Sequence, residues 1–282
     1  MFADPKDEPL VYLILGAAGS GRREVLADLL EGGLEESEKA AVLIGEREAE
    51  SSASERLIAR AGLARWKWLP ATGERAAGSS ATRGFELPPA GAIDATVPPG
   101  AARIFFLTDG RSNPVDQIEA FKVWSTNGGL RLGRIICVVD CRLVEAKPPL
   151  RAWFEACIHF SDIVLLNRRE GVSNKWVSDF QARFKRLHYP CLIEFVKNGT
   201  VRNPALILDP QALRISHVFD EEADWTILGA DGKDPEDDEE AEGEEAVELR
   251  PEEDPYFARW SGGRRMKEIP DIAKYLDPIP AG

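Results

Sequence analysis

The chain has 282 residues, 44% of them hydrophobic, and a formal net charge of −13. It holds no run of ~18 apolar residues that could span a membrane, and its acidic start, MFADPKDEPL, lacks the apolar stretch of a secretory signal. The expectation is therefore a cytoplasmic protein with no membrane contact. The acidity belongs to one segment: residues 219–254 carry 18 Asp/Glu and 2 Lys/Arg, a net of −16, which leaves +3 on the rest and no basic face suited to nucleic acid.

In chain order, "VYLIL" (11–15) is a continuous apolar run, as in a strand buried on both faces. The next glycines lead into Val25, Leu26, Leu29 and Leu30 at helical spacing, and Gly32-Gly33 can end that helix. "AAVLIG" (40–45) reads as a strand and "SASERLIARAGL" (52–63) as a helix with a serine cap. Residues 64–102 are rich in Gly, Pro, Ala, Ser and Thr and read as an excursion between two sheet strands, with "RWKWL" and "FEL" as short strand candidates. Alternation then resumes: strand 103–107, helix 114–124 opened by a favoured proline, strand 134–139, helix 148–160, strand 162–166, helix 173–187 and a sixth strand at 191–196. Trp176, Val177, Phe180, Phe184 and Leu187 fall on one face of the last helix. Strands alternating with helices over short connections predict an α/β fold of three layers, a mainly parallel sheet with helices on both faces.

Three units follow from composition: a domain over 1–218, an acidic, solvated linker over 219–255, and a C-terminal docking peptide over 256–282 that regains aromatic and basic residues. Trp225 and Trp260 flank the acidic run and are candidate anchors for it. Cys137, Cys141, Cys157 and Cys191 are not spaced as a zinc site, and three lie in or beside apolar segments, where cysteine acts as a small hydrophobe.

"LILGAAGSGRRE" (13–24) carries the candidate chemistry. Gly16 and Gly21 stand five apart between a strand and a helix, as in G-x-x-x-x-G-K-[ST]. Gly16, Gly19, Ser20 and Gly21 can turn backbone N–H groups toward a phosphate, and the helix adds its positive end. Arg22 stands in the lysine position and Arg23 in the position of the metal-binding hydroxyl. Arginine keeps the charge but pairs through a planar fork, and Arg23 offers no oxygen to a cation. Cations at a helix start oppose its dipole, which a bound anion would reverse.

The order of motifs resembles the CobW/HypB/UreG-type GTPases, especially their CobW-like branch, over roughly residues 10–200. "AVLIGERE" (41–48) resembles the family's second strand and N-E-F-G segment, with Glu46 in the acidic position and Gly45 in place of asparagine. "FFLTDGRSNP" (105–114) resembles E-T-[ST]-G-x-x-[DN]-P: Gly110, Asn113 and Pro114 match, Leu107 replaces the glutamate, and Asp109 supplies an acid out of register. "CVVDC" (137–141) resembles the V-V-D strand. "SDIVLLNRRE" (161–170) resembles the guanine-reading A-D-x-x-x-x-N-K-x-D, with Asn167 kept, Arg168 for lysine and Glu170 for aspartate. The resemblance implies a P-loop NTPase-like fold, GTP or GDP as ligand, Glu46, Asp109 and Gly110 at the metal and switch position, and Asn167, Arg168 and Glu170 around the base.

The departures imply altered chemistry. Residues 46–103 contain no cysteine, so the C-x-C-C motif for zinc or cobalt is absent. The phosphate-loop lysine, the Mg²⁺ hydroxyl and the third-strand glutamate are replaced, and phosphoryl transfer depends on such groups. The leading expectation is a degenerate CobW-like protein that binds GTP or another phosphate anion with weak or no hydrolysis. The alternatives are an active GTPase with rearranged residues and a non-enzymatic adaptor whose acidic tail and C-terminal peptide contact a protein partner.

Overall fold

The structure, a computed structural model, describes residues 8–48, 52–70, 90–220, 253–261 and 263–277. Among these, nine strands form one sheet in the order β4-β3-β2-β5-β1-β6-β7-β8-β9. The strands are β1 (Leu10–Leu15), β2 (Ala40–Gly45), β3 (Gly62–Pro70), β4 (Gly91–Asp94), β5 (Arg103–Leu107), β6 (Arg131–Asp140), β7 (Ile163–Asn167), β8 (Leu192–Lys197) and β9 (Thr200–Val201). All neighbours pair in parallel except β3 with β4 and β8 with β9, at the two edges.

Alternation along the central strand β1 sorts the core into two. Val11, Leu13 and Leu15 join a cluster with α3 (Pro114–Asn127), α5 (Leu150–His159) and α6 (Asn174–Arg186). Tyr12 and Ile14 join a second with α1 (Arg22–Gly33), α2 (Ser52–Arg60) and α7 (Pro204–Leu208). Successive strand side chains point to opposite faces, so a strand apolar at every position needs helices on both sides. The three-layer α/β architecture expected from the sequence is the one observed.

Local readings differ in four places. The helix expected over 52–63 ends at Arg60, and β3 follows at once, parallel to β2, so sheet pairing resumes within the stretch read as an excursion. The "FEL" candidate lies outside the described residues. A short helix, α4 (Cys141–Ala146), is inserted after β6, capped by Asp140 Oδ1 accepting from the Leu143 amide at 2.9 Å. Leu187, placed on the apolar face of α6, is 53% exposed because the helix ends at Arg186.

The described C-terminal residues lie against the α3–α5 face. Tyr256 and Ile272 are buried in the first core cluster, and Phe257 packs beside them. Arg265 donates to Asp116 Oδ1 at 2.6 Å, to Glu119 Oε2 at 2.7 Å and to the Tyr256 carbonyl at 3.1 Å. Arg259 reaches the same Glu119 oxygen at 2.5 Å. Trp260, a candidate anchor, is instead 57% exposed, so Tyr256 and Ile272 do the anchoring; Trp225 lies outside the described residues.

Asp254 joins this segment to the far end of α5 and to the chain before the acidic run. His159 Nε2 lies 2.8 Å from its Oδ2, Ser216 Oγ donates to that oxygen at 2.5 Å, and the Tyr256 amide donates to Oδ1 at 2.9 Å. Burial pulls the carboxyl pKa up, but the bonds from His159 and Ser216, the His159 charge and the Tyr256 amide outweigh it, and the net shift is downward. A depressed carboxylate stabilises the fold fully above the unfolded value of ~3.9, and that contribution is lost as pH falls through the lower folded value. Asp254→Asn should therefore cost about 1.5 kcal/mol near neutral pH, a deficit that closes in urea titrations repeated below about pH 3.9.

Candidate functional site

β1 ends at Leu15, and residues 16–21 loop over into α1. Gly16, Gly19 and Gly21 all have positive φ, at 136°, 80° and 87°. Gly21 is the N-cap of α1 without a side-chain cap, so the helix start presents backbone N–H groups. A Cβ on Gly21 would stand 2.4 Å from Asn167 Nδ2, which donates to the Ser20 carbonyl at 2.9 Å. Asn167, expected near a base, thus buttresses the loop from the end of β7. Ser20 Oγ is buried without a hydrogen-bond partner, an orphan polar atom inside the loop.

The second wall is the turn after β5. Ala18 N donates to the Gly110 carbonyl at 2.9 Å. Asp109 is committed to that turn: Oδ1 accepts from the amides of Arg111 and Ser112 at 2.8 and 3.0 Å, and Oδ2 from Ser112 Oγ at 2.6 Å. Arg111 Nη1 donates to the Asp277 carbonyl at 2.9 Å, so the C-terminal segment touches the turn that braces the glycine loop.

Arg22 is 5% exposed. Its Nη1 donates to the Thr108 carbonyl and, at 3.3 Å, to Thr108 Oγ1; Nη2 donates to Glu48 Oε1 at 2.8 Å and to the Asp109 carbonyl at 3.3 Å. Arg23 Nε lies 3.7 Å from Glu48 Oε2. Glu48 and Thr108 were not singled out from the sequence. The available signal was that two cations at a helix start call for an anion, and Glu48, just past the end of β2, supplies it.

Of the other expected residues, Glu46 is half exposed and pairs with Lys67 at 3.1 Å. Arg168 has φ 51° and reaches Asp140 Oδ2 at 3.3 Å. Glu170 is exposed, and its carbonyl accepts from Arg142 at 3.0 Å. A cavity of about 520 Å³ brings the glycine loop, Arg22, Arg23, Glu46, Glu48, Asp109 and Arg168 to one surface and extends to Trp66 and Trp68 on β3. Asn167 and Glu170 are not in its lining.

Most donors beside the loop are already engaged, Glu46 being the more exposed acid in the cavity lining. Arg23 stands where a hydroxyl ligand would be, both Asp109 oxygens accept from their own turn, and Glu48 is shared by two guanidinium groups. Among the described residues no three His, Cys, Asp or Glu side chains are grouped to hold a metal ion. No helix among the described residues is long and apolar enough to cross a membrane.

A glycine-rich loop thus joins the central parallel strand to the start of a helix, with the Ala18 and Ser20 amides bonded to the Gly110 and Ala17 carbonyls at 2.9 and 3.1 Å. Solved structures similar to this chain include Zn(II)-bound YjiA GTPase from E. coli (TM-score 0.40) and a triple mutant of YjiA GTPase, also Zn(II)-bound (TM-score 0.41). Both are 14% identical over 73% of this chain, which spans 66% of their length, just under two thirds. No curated protein matches. Residues 10–190 match the model for the CobW/HypB/UreG nucleotide-binding domain, a span from β1 nearly to β8, and the chain belongs to the CobW/HypB/UreG family with its P-loop NTPase-like fold.

Proposed function

We propose that this protein binds a guanine nucleotide, or another phosphate anion, through the 16–21 loop and hydrolyses it weakly or not at all. Residues 1–218 would form the nucleotide-binding domain, 219–255 an acidic linker and 256–282 a docking peptide. Family membership and the glycine loop at the start of α1 support binding. The orphan Ser20 hydroxyl supports it further, since a buried unpaired polar atom costs ~1–3 kcal/mol unless something bonds it.

The observation that carries the loss of hydrolysis is the engagement of Arg22. In phosphoryl transfer a mobile lysine and a metal ion neutralise charge developing on the transferred group. Here the cation in the lysine position is anchored to the carbonyl and hydroxyl of Thr108 and to the Asp109 carbonyl, and Asp109 itself is engaged by its own turn. On this reading the start of α1 holds a phosphate, and the lysine and hydroxyl that would activate one are replaced by Arg22 and Arg23.

Calorimetry of GTP, GDP and ATP, each with and without Mg²⁺, tests both halves. Saturable guanine-nucleotide binding of similar strength in EDTA is the expected result, with turnover at least 10³-fold below an efficient GTPase, the range that charge-stabilising groups contribute. Robust Mg²⁺-dependent GTP hydrolysis would sink the second half, and absence of binding at millimolar nucleotide would sink the first.

A further inference from the structure

Glu48 occupies the position of a ligand. One oxygen lies 2.8 Å from Arg22 Nη2 and the other 3.7 Å from Arg23 Nε, so a single carboxylate is divided between the two arginines that follow Gly21. An oxyanion of a phosphate divides its oxygens between guanidinium N–H groups in the same way. The pair is not a screened surface contact, since the Arg22 and Glu48 side chains are 4% and 12% exposed. Glu48 also lines the cavity beside the glycine loop.

The rest of Arg22 is held independently. Its Nη1 hydrogen bonds go to the carbonyl and hydroxyl of Thr108, at the end of β5. Removing the carboxylate would therefore leave the guanidinium in place with an N–H donor exposed to the cavity. Glu48 stands three residues beyond the end of β2, in a turn whose Glu48 amide bonds back to the Gly45 carbonyl at 3.0 Å. Arg65 on β3 also holds this turn, its Nη1 donating to the Gly45, Glu46 and Glu48 carbonyls at 3.4, 3.2 and 3.1 Å, so an exchange of ligands would swing the Glu48 side chain and leave the turn and the sheet in place.

We propose that Glu48 is an internal competitor for phosphate: a phosphate group enters by displacing the Glu48 carboxylate from Arg22 and Arg23. The inference rests on the nucleotide-binding reading above and adds what regulates that site. Glu48 sets the affinity threshold of the site.

The test is calorimetry with GDP and with inorganic phosphate at fixed ionic strength, on wild type, Glu48→Gln, Glu48→Asp and the Arg22→Ala/Glu48→Gln double variant, with folding of each checked by circular dichroism. Glu48→Gln keeps the shape and removes the competing charge; binding should tighten roughly 5- to 50-fold, the range of typical coupling between sites. Glu48→Asp, with its charge drawn back by one methylene, should tighten it less, and it serves as the second variant if Glu48→Gln does not fold. The gain should vanish in the double variant. Wild-type binding left unchanged or weakened in the Glu48 variants overturns the proposal alone. No binding by any folded variant at millimolar ligand overturns the nucleotide reading and the proposal with it.

Discussion

Gly110→Ala should abolish measurable nucleotide binding and lower stability by about 3 kcal/mol. Gly110 has φ +67°, where an L-residue is strained by ~1–2 kcal/mol. The added Cβ would also stand 2.4 Å from Ala18 N and 2.6 Å from the Gly16 carbonyl, both backbone atoms of the glycine loop. No side chain can swing aside to relieve that contact, so the loop itself must move; overpacking of this kind costs a further ~1–3 kcal/mol. The same displacement breaks the Ala18 amide bond to the Gly110 carbonyl. GDP calorimetry should show at least a 100-fold loss of affinity, equivalent to ~2.7 kcal/mol, and urea unfolding should give the stability change. An alanine variant that binds GDP as well as wild type would show that the turn after β5 does not brace the loop.

Arg265→Ala should be comparably costly to the C-terminal segment. The guanidinium serves two carboxylates on the first turns of α3 and the Tyr256 carbonyl, and its side chain is 8% exposed. Removing one member of a buried ionic cluster costs ~3–5 kcal/mol, because the remaining charges lose their partner without regaining water. Glu119 retains Arg259, so the lower end of that range, about 3 kcal/mol, is expected. Limited proteolysis should then cut within 256–277, whereas the wild-type segment resists. Equal resistance in the variant would mean that Tyr256 and Ile272 hold the segment without the charges.

The parts of the fold legible from sequence are those where one residue pattern suffices. β1, β2 and β5 are continuous apolar runs buried on both faces, and their limits were read to within a residue. β3 was read only as the short candidate "RWKWL", because "GLARWKWLP" mixes glycine, cations and tryptophans: it lies near the sheet edge, where most of its residues keep some exposure and the periodicity weakens. α4 is only six residues long and starts on an aspartate cap, too short for a helical period to register. At the site, the glycines were visible because their spacing is local. The partner of Arg22 was not, since Glu48 is brought to it by the pairing of β2 with β5, a tertiary event that no motif spells out. Likewise Asp109 reads as a free acid until the Asx-type turn with Arg111 and Ser112 is seen.

The hydrogen bond from Ser216 to Asp254 closes a long acidic stretch of chain on itself, because both of its ends sit on the body. Covalent continuity through that stretch is then not what keeps the C-terminal segment in place; its own buried residues and ion pairs are. The described C-terminal residues and the body are in this sense complementary surfaces, and the two should stay associated in a chain cut between Ser216 and Asp254.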